Sequence, residues 1–172
     1  MKLNKLAGLV VMATVLVGCL DVQISEPQIC SLKSLGTVPG SALAGVSLPP
    51  LTLTQTVDLS SPLSKLSDVA SSLTVSVNSL DLLGNNSLSW VQALTVSVDN
   101  QTLATYTRPV ADTGSSNDLT LTVVMPADQL EPLLAAGPVN LSFTLTAMAP
   151  AQDTELSTNL CVAVSGKVDR HL

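Results

Sequence analysis

Apolar and hydroxyl side chains take turns along most of this 172-residue chain, and that two-residue period points to strands rather than helices. Leu51, Leu53, Val57 and Leu59 fall on one parity, with Thr52, Thr54, Thr56 and Asp58 on the other. Successive side chains of a strand face opposite sides of a sheet, so the pattern predicts a half-buried strand. The period returns in residues 73–77, in Trp90 with Leu94, Val96 and Val98, and in residues 103–107. It returns again where Leu119, Leu121, Val123 and Met125 alternate with Thr120, Thr122 and Val124, and where Val139, Leu141, Phe143, Leu145 and Ala147 alternate with Asn140, Ser142, Thr144 and Thr146. Leu160, Val162 and Val164 form the last such run. Thr and Val recur because β-branched side chains suit a pleated surface and lose rotamer freedom in a helix.

Turn signals at Gly84-Asn85-Asn86, Asp99-Asn100 and Thr113-Gly114-Ser115 separate these runs. The fold class expected is therefore all-β, an immunoglobulin-like antiparallel β-sandwich of about seven strands. One or two short helical connections are expected within it. Ser61-Pro62 leads into Leu63, Leu66 and Val69, and Asp128 leads into Leu130, Leu133 and Leu134, where Pro132 limits the second helix to a turn or two.

The first residues differ from the rest. Lys2 and Lys5 precede an apolar run from Leu6 to Gly18, the basic-then-apolar order of a secretory signal. The run is shorter than the roughly 20 residues that a spanning helix needs. Its end, Leu16-Val17-Gly18-Cys19, resembles the lipobox of bacterial lipoproteins. The resemblance covers residues 1–19 and implies cleavage between Gly18 and Cys19, with a diacylglyceryl group bearing chains of the palmitate class on the Cys19 thiol. Each buried methylene of such a chain contributes about 0.8 kcal/mol, so two or three chains hold a soluble domain at a membrane. In that class Asp directly after the Cys marks inner-membrane retention. Leu20 stands there, which implies the outer membrane, with Asp21 one place further on. The expected division is residues 1–18 signal peptide, 19–50 lipidated tether and irregular arm rich in Pro and Gly, and 51–172 sandwich domain.

Removing residues 1–18 takes away Lys2 and Lys5 and no acid, which moves the net charge from −6 to −8. Lys33, Lys65, Arg108, Lys167 and Arg170 are scattered, so neither nucleic acid nor an anionic lipid surface is an expected partner. With Cys19 assigned to lipid, Cys30 and Cys161 remain as a pair in an oxidising compartment, and a disulfide is expected between them. The chain-entropy model gives such a closure roughly 5 kcal/mol. If Leu160, Val162 and Val164 face inward, Cys161 faces out, and Cys30 is expected to draw the N-terminal arm across the outer face of the last strand.

Few residues offer chemistry. Asp112-Thr113-Gly114-Ser115 resembles the active-site loop of aspartic proteases, which implies a carboxylate at Asp112 that activates water. That family needs two such loops, and here Arg108, Pro109 and Ala111 precede a single copy; turn preferences alone account for the residues. The same loop, with Asn117 and Asp118, offers oxygens to Ca²⁺ without the spacing of a dedicated calcium loop. Asp128 and Glu131 suit the start of a helix through its dipole. The single histidine, His171, leaves no Ser/His/Asp set and no metal site. Trp90, Tyr106 and Phe143 are the only aromatic residues, and Trp90 shares the parity of the core. Asn85, Asn100 and Asn140 head Asn-x-Ser/Thr triplets to which no role is assigned. The expectation is a non-enzymatic, cofactor-free envelope lipoprotein. Its sandwich would dock on an envelope complex, with an open strand edge to recruit a partner strand, or carry a small apolar ligand in a hollow interior.

Overall fold

The computed structural model describes residues 21–58, 72–109, 115–135 and 137–169. Gly18, Cys19, the connection at 61–69, Asp112 and His171 lie outside the described residues.

Nine strands and one helix are present among the described residues: β1 (Asp21–Val38), β2 (Leu51–Val57), β3 (Ser72–Gly84), β4 (Val91–Val98), β5 (Gln101–Thr107), β6 (Asp118–Thr120), β7 (Thr122–Val123), α1 (Ala127–Ala135), β8 (Val139–Ala147) and β9 (Thr154–Asp169). Two antiparallel sheets result, ordered β1-β9-β3-β6 and β2-β8-β4-β5-β7. If β6 and β7 are taken as one interrupted strand, the first strand pairs with the last, the second with the second-last, the third with the sixth and the fourth with the fifth. This nesting is a long hairpin rolled into two sheets, the strand order of a jelly roll. It replaces the immunoglobulin-like order expected from seven strands. Alternation sets which face of a strand is buried but leaves its partners unspecified.

The largest difference from the sequence reading lies in residues 19–50. The irregular arm is largely absent, because Asp21–Val38 is an 18-residue edge strand beside β9. Breaks in register between Glu26 and Ile29 and between Ser34 and Gly36, at Pro27 and at a left-handed glycine, interrupt the period that would have announced it. Beyond Val38 the chain keeps its partner around the corner of the sandwich. Ser41 N donates to Pro150 O at 2.9 Å, Ala149 N to Val46 O at 2.7 Å, and Leu48 N to Ala147 O at 2.9 Å. Residues 39–50 thus form a strap along 147–153 that carries the rolled hairpin from one sheet to the other.

Gly40 permits that turn. A Cβ there would stand 2.6 Å from Gln152 C and 2.8 Å from Asp153 N, while Gly40 N donates to Asp153 Oδ1 at 2.7 Å. Those neighbours are backbone, which cannot rotate away. Gly40→Ala is expected to lower stability by about 1–3 kcal/mol, the usual cost of overpacking, measured by urea unfolding.

A bulge and a crossing between sheets explain two further differences. In β3, Val75 and Val77 face inward, the register shifts between Val77 and Ser79, and Leu80 and Leu82 then take the buried positions. The strand therefore runs on past the 73–77 segment where the period is legible. The run Leu119 to Met125 serves both sheets: β6 pairs with β3, Leu121 N donates to Leu80 O at 2.9 Å, and β7 crosses to pair with β5. Where no bulge intervenes the expectation holds. Val139, Leu141, Phe143, Leu145 and Ala147 of β8 are all buried. The Asp99-Asn100 turn has φ of 47° and 64° at its two central residues, the left-handed pair that a two-residue hairpin loop requires. The helix α1 forms over nine residues with Pro132 inside it, burying Leu130 and half-burying Leu133.

One buried contact departs from binary patterning. Gln55 occupies an inward position of β2 between Leu53 and Val57, and Thr158 Oγ1 of β9 donates to its Oε1 from the opposite sheet. Both residues are buried, so removing either alone strands a polar group away from water. Thr158→Val is expected to cost about 1–3 kcal/mol, and Gln55→Leu combined with Thr158→Val is expected to recover most of that loss. A double-mutant cycle in chemical denaturation measures the coupling.

Candidate functional site

Cys30 and Cys161 are joined by a disulfide with Cα atoms 4.1 Å apart. They are direct partners in the β1–β9 ladder, and the bridge lies off the apolar core as alternation required: Leu160 and Val162 on either side of Cys161 belong to the core cluster, and Cys161 does not. Cys30 is exposed, whereas Cys161, in an interior strand, is buried and accepts a contact from Asn159 Nδ2 at 3.6 Å. The geometry corrects one detail. The N-terminal segment lies beside β9 in the same sheet, not across its outer face.

The loop considered for acid chemistry is described from Ser115 onward. Ser116 Oγ hydrogen-bonds to the Asp118 carboxylate, and Ser116 O and Asn117 O accept from Leu88 N and Gly84 N, each at 2.8 Å. Ser116 and Asn117 thus tie the loop to the bend after β3. Asp118 is occupied by its own loop, as befits a structural turn. Asp128 is exposed in the first turn of α1, and Asn85, Asn100 and Asn140 lie on exposed turn and strand positions. Asn85 Oδ1 accepts from Glu155 N at 2.9 Å, and Asn140 Oδ1 accepts from Thr56 Oγ1 at 2.7 Å.

Sequence reasoning gave Arg108 no role, and the structure gives it one. Its guanidinium donates to Val91 O at 2.8 Å and Leu88 O at 2.7 Å, which fixes the bend leading into β4. A planar donor fork matches two nearby carbonyls, a use that leaves no periodic mark in sequence. Trp90 stands within that bend. It is 6% exposed and belongs to the core cluster, and its Nε1 has no hydrogen-bond partner among the described residues.

Trp90 also lines a cleft of about 370 Å³ at the corner of the sandwich. Strap residues Ala44 and Gly45 form one side, Met148 to Gln152 another, and Asn86, Ser87 and Ser89 the third. Its lining residues carry no formal charge. A second, shallower hollow of about 660 Å³ lies between the start of β5 and α1, lined by Gln101, Val124, Pro126, Asp128 and Leu133 among others. Both lie at the periphery. Between the sheets, Val75, Leu80, Leu82, Val96, Phe143, Leu145, Leu156 and Val162 are each fully buried in one continuous core. No helix among the described residues is long and apolar enough to cross a membrane.

Comparison with known proteins adds the following. No family model matches the chain, and no curated protein matches it. Among solved structures, a chain in the structure of Cocksfoot mottle virus is similar over 99% of this chain and 97% of its own length, at 8% identity and a TM-score of 0.37. A chain in the structure of Mud crab tombus-like virus is similar over 100% of this chain and 93% of its own, at 12% identity and a TM-score of 0.36.

Proposed function

We propose that this protein is an envelope lipoprotein, cleaved after Gly18, acylated at Cys19 and held at the outer membrane, whose sandwich docks on an envelope partner without catalysis. The filled interior carries the docking half of this reading, since a carrier of small apolar ligands would need space where Phe143 and its buried neighbours pack. The strand edges supply the means. Among the described residues β1 and β2 each pair on one side only. β1 is defended by Pro27, Lys33 and two register breaks. β2 is seven residues of Leu, Thr, Gln and Val with Thr52, Thr54 and Thr56 exposed, and neither proline nor charge interrupts it. Such an edge suits addition of a partner strand.

A photo-crosslinker at Thr54 in the tagged, full-length protein tests this in the native envelope. A reproducible adduct that disappears in Cys19→Ser is expected. Adducts absent at Thr54 while the acylated protein remains in the membrane would overturn strand-edge docking. The intact mass of protein made with its own signal tests the lipid separately: a mature mass lacking acyl chains would overturn the anchor.

A further inference from the structure

Resting on acylation at Cys19, we propose that the sandwich stands upright on the membrane, with the β1–β9 ladder as its post and the Trp90 cleft at the end farthest from the lipid. A tether spanning residues 19–50 would let the domain tumble; the structure removes that freedom. Only Leu20 separates Cys19 from Asp21, where β1 begins and pairs with Asp169 at the end of β9. Ser72, the first residue of β3, pairs with Lys167 at the same end. Three strands of one sheet therefore share the end at which the acyl group is attached. Their other ends, Val38, Gly84 and Thr154, meet at the opposite pole, beside the strap and the bend that line the cleft. At about 3.3 Å per residue the 16 residues of β9 separate the two poles by about 50 Å.

The disulfide makes the post rigid enough to matter. Of the β1 side chains described, Val38 is buried and Ile29 and Leu35 are half-buried against the core, so over residues 28–38 apolar packing alone holds β1 weakly. Cys30 sits midway along the strand and is bonded to Cys161 in the interior of the sheet. Any lever acting through the lipid on residue 21 is therefore stopped at residue 30 before it reaches the strap. Orientation, once set by the short link, is transmitted to the far pole.

Energy transfer to a lipid-borne acceptor tests this. Full-length acylated protein, in vesicles of phosphatidylethanolamine and phosphatidylglycerol, carries a donor introduced as an unnatural residue at Ser165 or at Leu43, both exposed. Ser165 stands eleven residues along β9 from Thr154, about 36 Å of strand, so transfer from Leu43 is expected to be several-fold weaker than from Ser165. The Cys30→Ser/Cys161→Ser variant is expected to narrow that gap. Equal transfer from the two positions in vesicle-bound protein would overturn the upright orientation and leave acylation standing. Protein that fails to bind vesicles would overturn both.

Discussion

Replacing Cys30 and Cys161 together by Ala is expected to lower stability by about 3–5 kcal/mol, the largest loss of any change outside the core. The bridge closes a sequence separation of 131 residues, for which the chain-entropy model gives about 5 kcal/mol. The expected value falls below that ceiling because the reduced, unfolded chain retains some structure and real bridges commonly deliver less than the model. The local consequence is sharper than the global one. With Val38 the one buried side chain among those described on β1, the reduced protein should open that strand first, while β2 to β9 keep their core. Urea unfolding measures the first quantity and amide exchange of residues 21–38 the second. An unchanged unfolding midpoint would show that the ladder and the strap suffice, and that the bridge serves to protect an edge.

What could be read from the sequence divides along a physical line. Burial has a period, so β8 and the inward parity of Leu160, Val162 and Val164 were legible, and Cys161 could be placed off the core before its partner strand was known. The Asp99-Asn100 turn was legible because left-handed backbone selects those residue types. Pairing has no period. That the first strand meets the last follows from long-range ladders, and β1 itself was hidden because its two register breaks and Pro27 disrupt alternation in an edge strand whose described side chains bury little. A bulge had the same effect in β3, as did the crossing from β6 to β7, where one alternating run feeds two sheets. At the corner cleft the lining comes from three separate connections, 44–45, 86–90 and 148–154, so no window of sequence contains it. Gly40 and Arg108 were silent for a similar reason: their partners are backbone atoms distant in sequence.

Phe143→Ala is expected to cost about 3–5 kcal/mol and to do so by opening a hollow between the sheets. Phe143 is the single phenylalanine of the chain, is 0% exposed, and sits in β8 with Leu53 of β2 and Val96 of β4 as its ladder neighbours. The rest of the core cluster is Leu, Val and Ala with Met125 and with Trp90 at one end, and among the described residues no other fully buried side chain is as large. Close-packed surroundings relax only partly when so large a side chain is removed, and the residual void adds to the lost transfer energy. Phe143→Leu, which keeps most of the volume, is expected to cost less than about 1.5 kcal/mol. The pair of variants also tests docking against ligand carriage. In a filled interior the parent protein binds no small apolar probe such as benzene, whereas Phe143→Ala gains binding and part of its lost stability in the presence of the probe. Chemical unfolding with and without benzene reads both. A parent protein stabilised by benzene, or a Phe143→Ala variant as stable as its parent, would mean that the sheets enclose usable space and would move the reading from docking to apolar ligand carriage.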